Sequence, residues 1–316
     1  MDRSAAFATK IRDAFAARSL GYWPTPLEAE PGLARALGLE ALWLKREDRA
    51  GGNKVRGLEF VFAGVPPRST FVTVGGSGST HCLSTARLAR AEGHRTAVAV
   101  FAQPETEESR RIAARTAETA DVVIAARHVL ALPWAVVRAW RAARRLGAAR
   151  PRWIPGGAAE PRAVLGHLLA ALELEHQLDA PPDAIVVPLG TGGTAAGIAL
   201  GVAWLGWPTT VIGARVAPLL VANRWRTLRL ARRAVTLLRR AGIAWLVPQS
   251  AVRVRVVNVM GAGYGYPTRE GELARALAAD HNVRLDPTYG AKAFSSLMSR
   301  RAQMRRAIFW HTFPSY

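Results

Sequence analysis

Asn53 and Lys54 stand in GGNKVRGLEF, residues 51–60, behind two glycines and just after the strand-like run ALWLKRED. The chain carries 43 Lys and Arg residues, and only Lys10, Lys45, Lys54 and Lys292 are lysines. The other three lie in charged or helix-like stretches where an arginine serves equally well as a surface cation. A lysine does one thing an arginine does not: it loses its proton near neutral pH and acts as a nucleophilic amine. Lys54 is expected to be the first residue of a helix, VRGLEFVFAGV. There the positive helix end and partial burial both disfavour the ammonium and lower its pKa. The plainer alternative is a solvated lysine at a loop–helix junction.

Two further turns have the composition of ligand cradles. Pro188-Leu189-Gly190-Thr191-Gly192-Gly193-Thr194 follows a strand-like run and opens AAGIALGVAWLG. Glycines let backbone N–H groups converge, and a helix N-terminus adds positive potential, so a phosphate fits. Gly190, Gly192 and Ala195 also match dinucleotide spacing, but no acidic residue for a ribose follows between Ala184 and Val247, and the loop has no GK[ST] ending. A single phosphate monoester is the better ligand, with an ordinary tight turn as the alternative. Gly75-Gly76-Ser77-Gly78-Ser79-Thr80-His81 precedes the helix CLSTARLARAEG. Its hydroxyls suit a carboxylate, or serve only as an N-cap. A phosphate cradle, a carboxylate cradle and an activated lysine together are the parts that hold pyridoxal phosphate and an amino-acid substrate.

The elements that must position these turns alternate. Strand-like runs ALWLKRE, TFVTVG, RTAVAVF, DVVIAA, PRWIPGG, AIVVPLG, TTVIGARV, VRVVNV and AIFWHT are separated by helical stretches such as ETEESRRIAARTAETA, PRAVLGHLLAALELEHQL and TREGELARALAADH. Continuously apolar strands between amphipathic helices predict α/β architecture with mostly parallel sheets, whose ligands collect at the strand carboxyl ends. At 316 residues, half of them hydrophobic, the chain holds two compact domains or one large one.

The net charge of +20 comes almost wholly from arginine, densest in residues 134–152, 223–240 and 299–306. All three have the spacing of amphipathic helices and read as solvated faces; no nucleic-acid motif accompanies them. A single cysteine, Cys82, rules out an internal disulfide and fits a reducing compartment, more as a packed residue than a nucleophile. The first 20 residues are too charged for a signal peptide, which predicts a cytoplasmic protein. Residues 184–214 are uncharged, yet Pro188 and GTGGT break them into strand, turn, helix and strand rather than a membrane span. No metal site is expected.

Six segments, KREDRAGGNKVRGLEF, VTVGGSGSTHCLSTARLARAEG, WIPGGAAEPRAVLGHLLAALELE, PLGTGGTAAGIALG, GYGYPTREGELARALA and LDPTYGAKAF, resemble, in order from about Leu42 to Phe294, consecutive motifs of the 1-aminocyclopropane-1-carboxylate deaminase and D-cysteine desulfhydrase family. The resemblance implies two parallel-sheet α/β domains of the tryptophan-synthase-β type with the cofactor between them. The larger domain would comprise residues 1–54 and 161–316, and the smaller inserted one residues 55–160. It makes Lys54 the Schiff-base lysine, with Asn53 beside it, and Gly190, Thr191, Gly192, Gly193 and Thr194 the phosphate loop. Ser79 would bind the substrate carboxylate and assist proton transfer, and Tyr264 and Tyr289 would line the substrate side. Read alone, those tyrosines are half-buried packing residues. A small amino acid is the implied substrate and a homodimer the implied assembly, with no nucleic-acid or membrane partner.

Three positions depart from the family pattern. Thr80 replaces the asparagine that bonds the cofactor's ring hydroxyl. Gly290 stands where the deaminases place a glutamate, and the desulfhydrases a threonine, facing the pyridine nitrogen. FPSY follows the last strand where relatives carry glycines. A ring nitrogen without a carboxylate is the weaker electron sink, which favours α,β-elimination from a D-amino acid such as D-cysteine over opening of a cyclopropane. A rival from another class is a non-catalytic cofactor-binding protein whose arginine-rich faces dock an acidic partner.

Overall fold

The computed structural model describes residues 2–147 and 150–314. The chain forms two compact units, Met1–Phe60 with Pro161–Tyr316, and Val61–Glu160. Along the chain the elements are α1 (Arg3–Ala14), β1 (Leu27–Ala29), α2 (Pro31–Leu37), β2 (Ala41–Arg46), α3 (Lys54–Val61), β3 (Thr70–Gly76), α4 (Thr80–Ala91), β4 (Arg95–Phe101), α5 (Glu107–Thr119), β5 (Val122–Ala126), α6 (Leu132–Arg145), β6 (Arg152–Ile154), α7 (Pro161–Leu172), β7 (Ala184–Leu189), α8 (Gly193–Leu205), β8 (Thr210–Arg215), α9 (Arg224–Arg240), β9 (Val254–Asn258), α10 (Arg269–Ala279), α11 (Gly290–Arg300) and β10 (Arg306–His311).

The first unit holds a six-stranded sheet in the order β1-β2-β10-β7-β8-β9. All its neighbours are parallel except β1, which pairs antiparallel with β2. The second unit holds a parallel four-stranded sheet, β5-β4-β3-β6. Parallel strands buried on both faces are apolar throughout, as β7 is at every position. The nine strand-like runs of the sequence all form strands. β1, three residues long, carries no periodic signal to find it by.

Residues 184–214 become β7, α8 and β8. Helix α8 is buried from Gly193 to Ala203, so its uniform apolarity belongs to the protein interior. No helix of the described residues is long and apolar enough to cross a membrane. Gly197 and Gly201 let α8 approach α7 closely: an added Cβ at either would collide with His167 or Ala171 of the facing helix.

Two of the three arginine-rich stretches are the helices expected. α6 buries Ala135, Ala139 and Ala143, and α9 buries Leu228, Ala231, Ala234, Val235 and Leu238, with arginines on their exposed faces. The third is a correction. In SRRAQMRR (299–306), α11 ends at Arg300, a short 3-10 turn follows, and the chain extends through buried Met304 into β10. The helical spacing of Arg, Ala and Met is overridden there by the parallel pairing of β10 with β2 and β7.

Candidate active site

Helix α3 begins at Lys54, and its approach is built for glycine. Gly51 and Gly52 adopt φ of +78° and +91°, a region L side chains avoid, and a Cβ on Gly52 would lie 2.9 Å from Pro314 Cδ. The helix is held from below by buried charges. The Arg56 guanidinium donates to both oxygens of Glu47 (2.9 and 2.7 Å) and to both of Glu173 (2.7 and 2.9 Å), and lies 3.9 Å over the Trp23 ring. Lys45 donates to Glu173 at 2.6 Å, to Gln177 and to the Thr25 carbonyl. Removing one member of such a network strands its partner at a cost of roughly 3–5 kcal/mol. Helix α3 also presses on α7, where a Cβ on Gly166 would collide with the Arg56 carbonyl. Lys54 therefore rides on a rigid support.

Lys45 and Lys292, read from sequence as interchangeable with surface arginine, are both fully buried, which corrects that reading. Their partners lie 20 to 132 residues away along the chain and leave no local trace.

Lys54 is half-buried, and burial alone pushes its amine down to about 8. No carboxylate offsets the shift among the described residues. At neutral pH roughly a tenth of such an amine is unprotonated, several hundred times more than for a solvated lysine. Its neighbour Asn53 donates from Nδ2 to Thr194 Oγ1 at 2.8 Å. Thr194 Oγ1 lies 3.4 Å from His167 Nε2. His167, buried in α7, is held neutral first by desolvation and then by the charges of Lys54 and Arg56. Sequence reading missed His167, because it sits inside a continuous helical pattern.

Thr194 belongs to the GTGGT turn, which carries β7 into α8 as the sequence predicts. Gly192 is the N-cap with φ +91°, and a Cβ there would meet Thr227 Oγ1 at 2.7 Å. This glycine serves the fold whatever it binds. Gly190 differs: a Cβ on it would meet only the Tyr289 ring, at 3.9 Å.

Tyr289 is the N-cap of α11. Asp286 fixes the cap, accepting from the backbone N–H of Thr288 (3.0 Å), Tyr289 (2.7 Å) and Gly290 (2.7 Å). The Tyr289 phenol is hydrogen-bonded to that of Tyr264, the rings meeting edge to face at 5.9 Å. At Gly290 an added Cβ would lie 2.8 Å from Asp286 Oδ2, with Leu285 behind it, so a side chain there starts into the cap. The structure thus brings together Asn53, Lys54, Thr194 and His167, and near Gly190 the pair Tyr289 and Tyr264.

Ser79 and Thr80 lie in the second unit. Ser79 is the N-cap of α4, its Oγ accepting from Cys82 N at 3.4 Å, and both residues are buried. Next to them, Thr73 donates to the Ile154 carbonyl (2.8 Å), so its oxygen accepts from His81 Nε2 (2.8 Å), which fixes that ring's tautomer. Burial pushes the Cys82 thiol up to about 12, so it packs rather than reacts.

A nucleophilic amine at a helix start, joined through one hydrogen bond to a glycine turn that opens a second helix, is the equipment of an enzyme that binds a phosphorylated aldehyde. The residues fit pyridoxal phosphate: Lys54 would meet the carbonyl, and the 190–194 backbone with Thr194 would hold the phosphate. Residues 18–312 match the family of pyridoxal-phosphate dependent enzymes, and the chain belongs to that family.

It is 34% identical over 313 residues to nocardicin C-9′ epimerase of Nocardia uniformis subsp. tsuyamanensis, covering 92% of this chain and 90% of that protein. It is 30% identical over 321 residues to the bifunctional D-cysteine desulfhydrase/1-aminocyclopropane-1-carboxylate deaminase, mitochondrial, of Arabidopsis thaliana, covering 93% and 77%. The crystal structure of an ACC deaminase homologue superposes with a TM-score of 0.80 at 25% identity, covering 96% of this chain and 94% of that one. The two-unit parallel α/β fold is that of these enzymes.

Proposed function

We propose that this protein is a lyase that removes the β-substituent and the amino group from a small D-amino acid, D-cysteine first among them, giving pyruvate, hydrogen sulfide and ammonia with one water consumed. The observation that carries it is the half-buried amine of Lys54, poised near pH 8 beside the Asn53–Thr194 hydrogen bond. Pyridoxal phosphate supplies an electron sink for negative charge at the substrate α-carbon. Lys54 binds the cofactor carbonyl and carries the α-proton. The N–H groups of residues 190–194, with the Thr191 and Thr194 hydroxyls, bind the phosphate. Ser79 takes the substrate carboxylate, Thr80 the place by the ring hydroxyl, and Tyr264 and Tyr289 the substrate side.

Gly290 supports elimination over ring opening, because it offers no carboxylate to a ring nitrogen and a thiolate leaves as the proton is removed. A second reading has its own support: the relative sharing 34% identity is an epimerase, whose chemistry returns a proton to carbon instead of expelling a leaving group. Incubation in D2O with D- and L-cysteine, β-chloro-D-alanine and 1-aminocyclopropane-1-carboxylate separates them. Keto acid from D-cysteine and β-chloro-D-alanine, with none from the cyclopropane, supports the lyase. Deuterium at the α-carbon with no keto acid supports epimerisation, and efficient ring opening overturns the argument from Gly290.

The proposal includes a cytoplasmic location, supported by the single buried cysteine, and a homodimer, supported by the family resemblance. Light scattering on the purified protein checks the latter.

A further inference from the structure

We infer that Lys292 is the positioning residue for Tyr264, its ammonium holding the turn 259–266 in the conformation that brings the Tyr264 phenol to that of Tyr289. The inference rests on the reading that these tyrosines serve the substrate side; the clamp itself rests on geometry alone.

The turn reads VMGAGYGY, has no regular structure, and contains Gly261 and Gly265 at φ of +66° and +85°. Three glycines in eight residues give such a segment many conformations, and fixing one carries a large entropic cost. Lys292 Nζ donates to the Met260 carbonyl at 2.7 Å and to the Gly263 carbonyl at 3.1 Å. Two carbonyls three residues apart on one cation set the curvature of the chain just before Tyr264. A compact ammonium with tetrahedral donors does this where the planar fork of arginine does not fit.

The rest of the side chain is arranged for the same end. Lys292 is 0% exposed, and its stem runs beneath Gly271 of α10, where an added Cβ would lie 3.6 Å from Lys292 Cγ. Burying a cation is costly unless its donors are used, and here they are used on the turn. The charge that faces it is Asp286, whose oxygens cap the N–H groups of residues 288–290. One helix, α11, therefore carries both phenols: Tyr289 directly at its N-cap, and Tyr264 through Lys292 one turn further on.

Lys292→Met keeps the stem and removes the donors. Amide exchange in the peptide spanning 259–266 should quicken about tenfold or more, with α10 and α11 unchanged and the visible cofactor band retained. With D-cysteine, kcat should fall about tenfold, to the level of Tyr264→Phe, and no further in the double variant. Unaltered exchange at 259–266 overturns the clamp, and additive losses in the double variant overturn its action through Tyr264. If Tyr264→Phe turns over normally while Lys292→Met loosens the turn, the clamp stands and the tyrosine's assigned role fails. Should Lys292→Met not fold, Lys292→Gln, shorter but still a donor, is measured in its place. A smaller acceleration confined to 259–266 supports the inference and none overturns it.

Discussion

Asn53 Nδ2 donates to Thr194 Oγ1 across 2.8 Å and so ties the residue before Lys54 to the first turn of the helix behind the glycine loop. Asn53→Ala should weaken pyridoxal phosphate binding about five- to tenfold, the worth of one buried hydrogen bond, and Thr194→Val by more, since its hydroxyl is also assigned to the phosphate. The double variant should lose little more than Thr194→Val alone, because that single already removes the contact Asn53 makes. Equilibrium dialysis of the apoprotein against the cofactor measures all four constants; independent, additive losses would show that the bond does not organise the loop.

Cofactor loading should follow the protonation of Lys54. Only the neutral amine attacks a carbonyl, and burial holds this amine near 8. The loading rate of the apoprotein should rise about tenfold per pH unit below 8 and level off above it, where a solvated lysine would keep climbing towards 10. Stopped-flow absorbance gives the profile. Lys54→Ala should lose the profile and the borohydride-fixed cofactor together, and a fixed adduct mapped to another lysine would refute the assignment.

Gly190 and Gly192 should separate ligand binding from folding. Gly192→Val places a Cβ against Thr227 at a positive φ and should destabilise the apoprotein by about 3 kcal/mol, seen as a lower Tm. Gly190→Ala meets only the Tyr289 ring at ordinary contact distance, so the apoprotein Tm should hold while cofactor affinity falls. Unchanged affinity in Gly190→Ala would leave the turn without a part in binding the phosphate.

His167 should make the apoprotein acid-sensitive. Its folded pKa is depressed well below 6.5, so below that pH the unfolded chain binds a proton that the native state refuses. Stability should therefore fall as pH drops through 6.5. His311, shifted the same way by burial, adds to the slope. His167→Phe should flatten the dependence of Tm on pH between 6.5 and 5, and an unchanged slope would assign the effect to His311.

The sheets were legible because their strands are continuous β-branched runs, and the place of Lys54 at a helix start because glycines precede it on the sequence itself. β1 was not, having only three residues, nor was the end of α11, where Arg, Ala and Met mimic helical spacing until strand pairing decides the backbone. The support of the site was hidden for a different reason. Glu173 reaches Lys45 and Arg56 from over a hundred residues away, and Lys292 meets carbonyls that every residue possesses. The direction of a Cβ at Gly290, into Asp286 rather than into open space, is likewise a property of the folded backbone alone.

The buried placement of Lys45 and Lys292 leaves Lys10 as the one exposed lysine. Guanidinium groups do not condense with aldehydes at neutral pH, so an arginine surface is inert towards the cofactor in a way that a lysine surface of equal charge is not. Among the side chains, free pyridoxal phosphate finds two accessible amines here, and burial lowers the one at position 54 to about 8. Fidelity of attachment then comes as much from where amines are missing as from where one is present, and an amine-directed label applied to the apoprotein has few side chains to find.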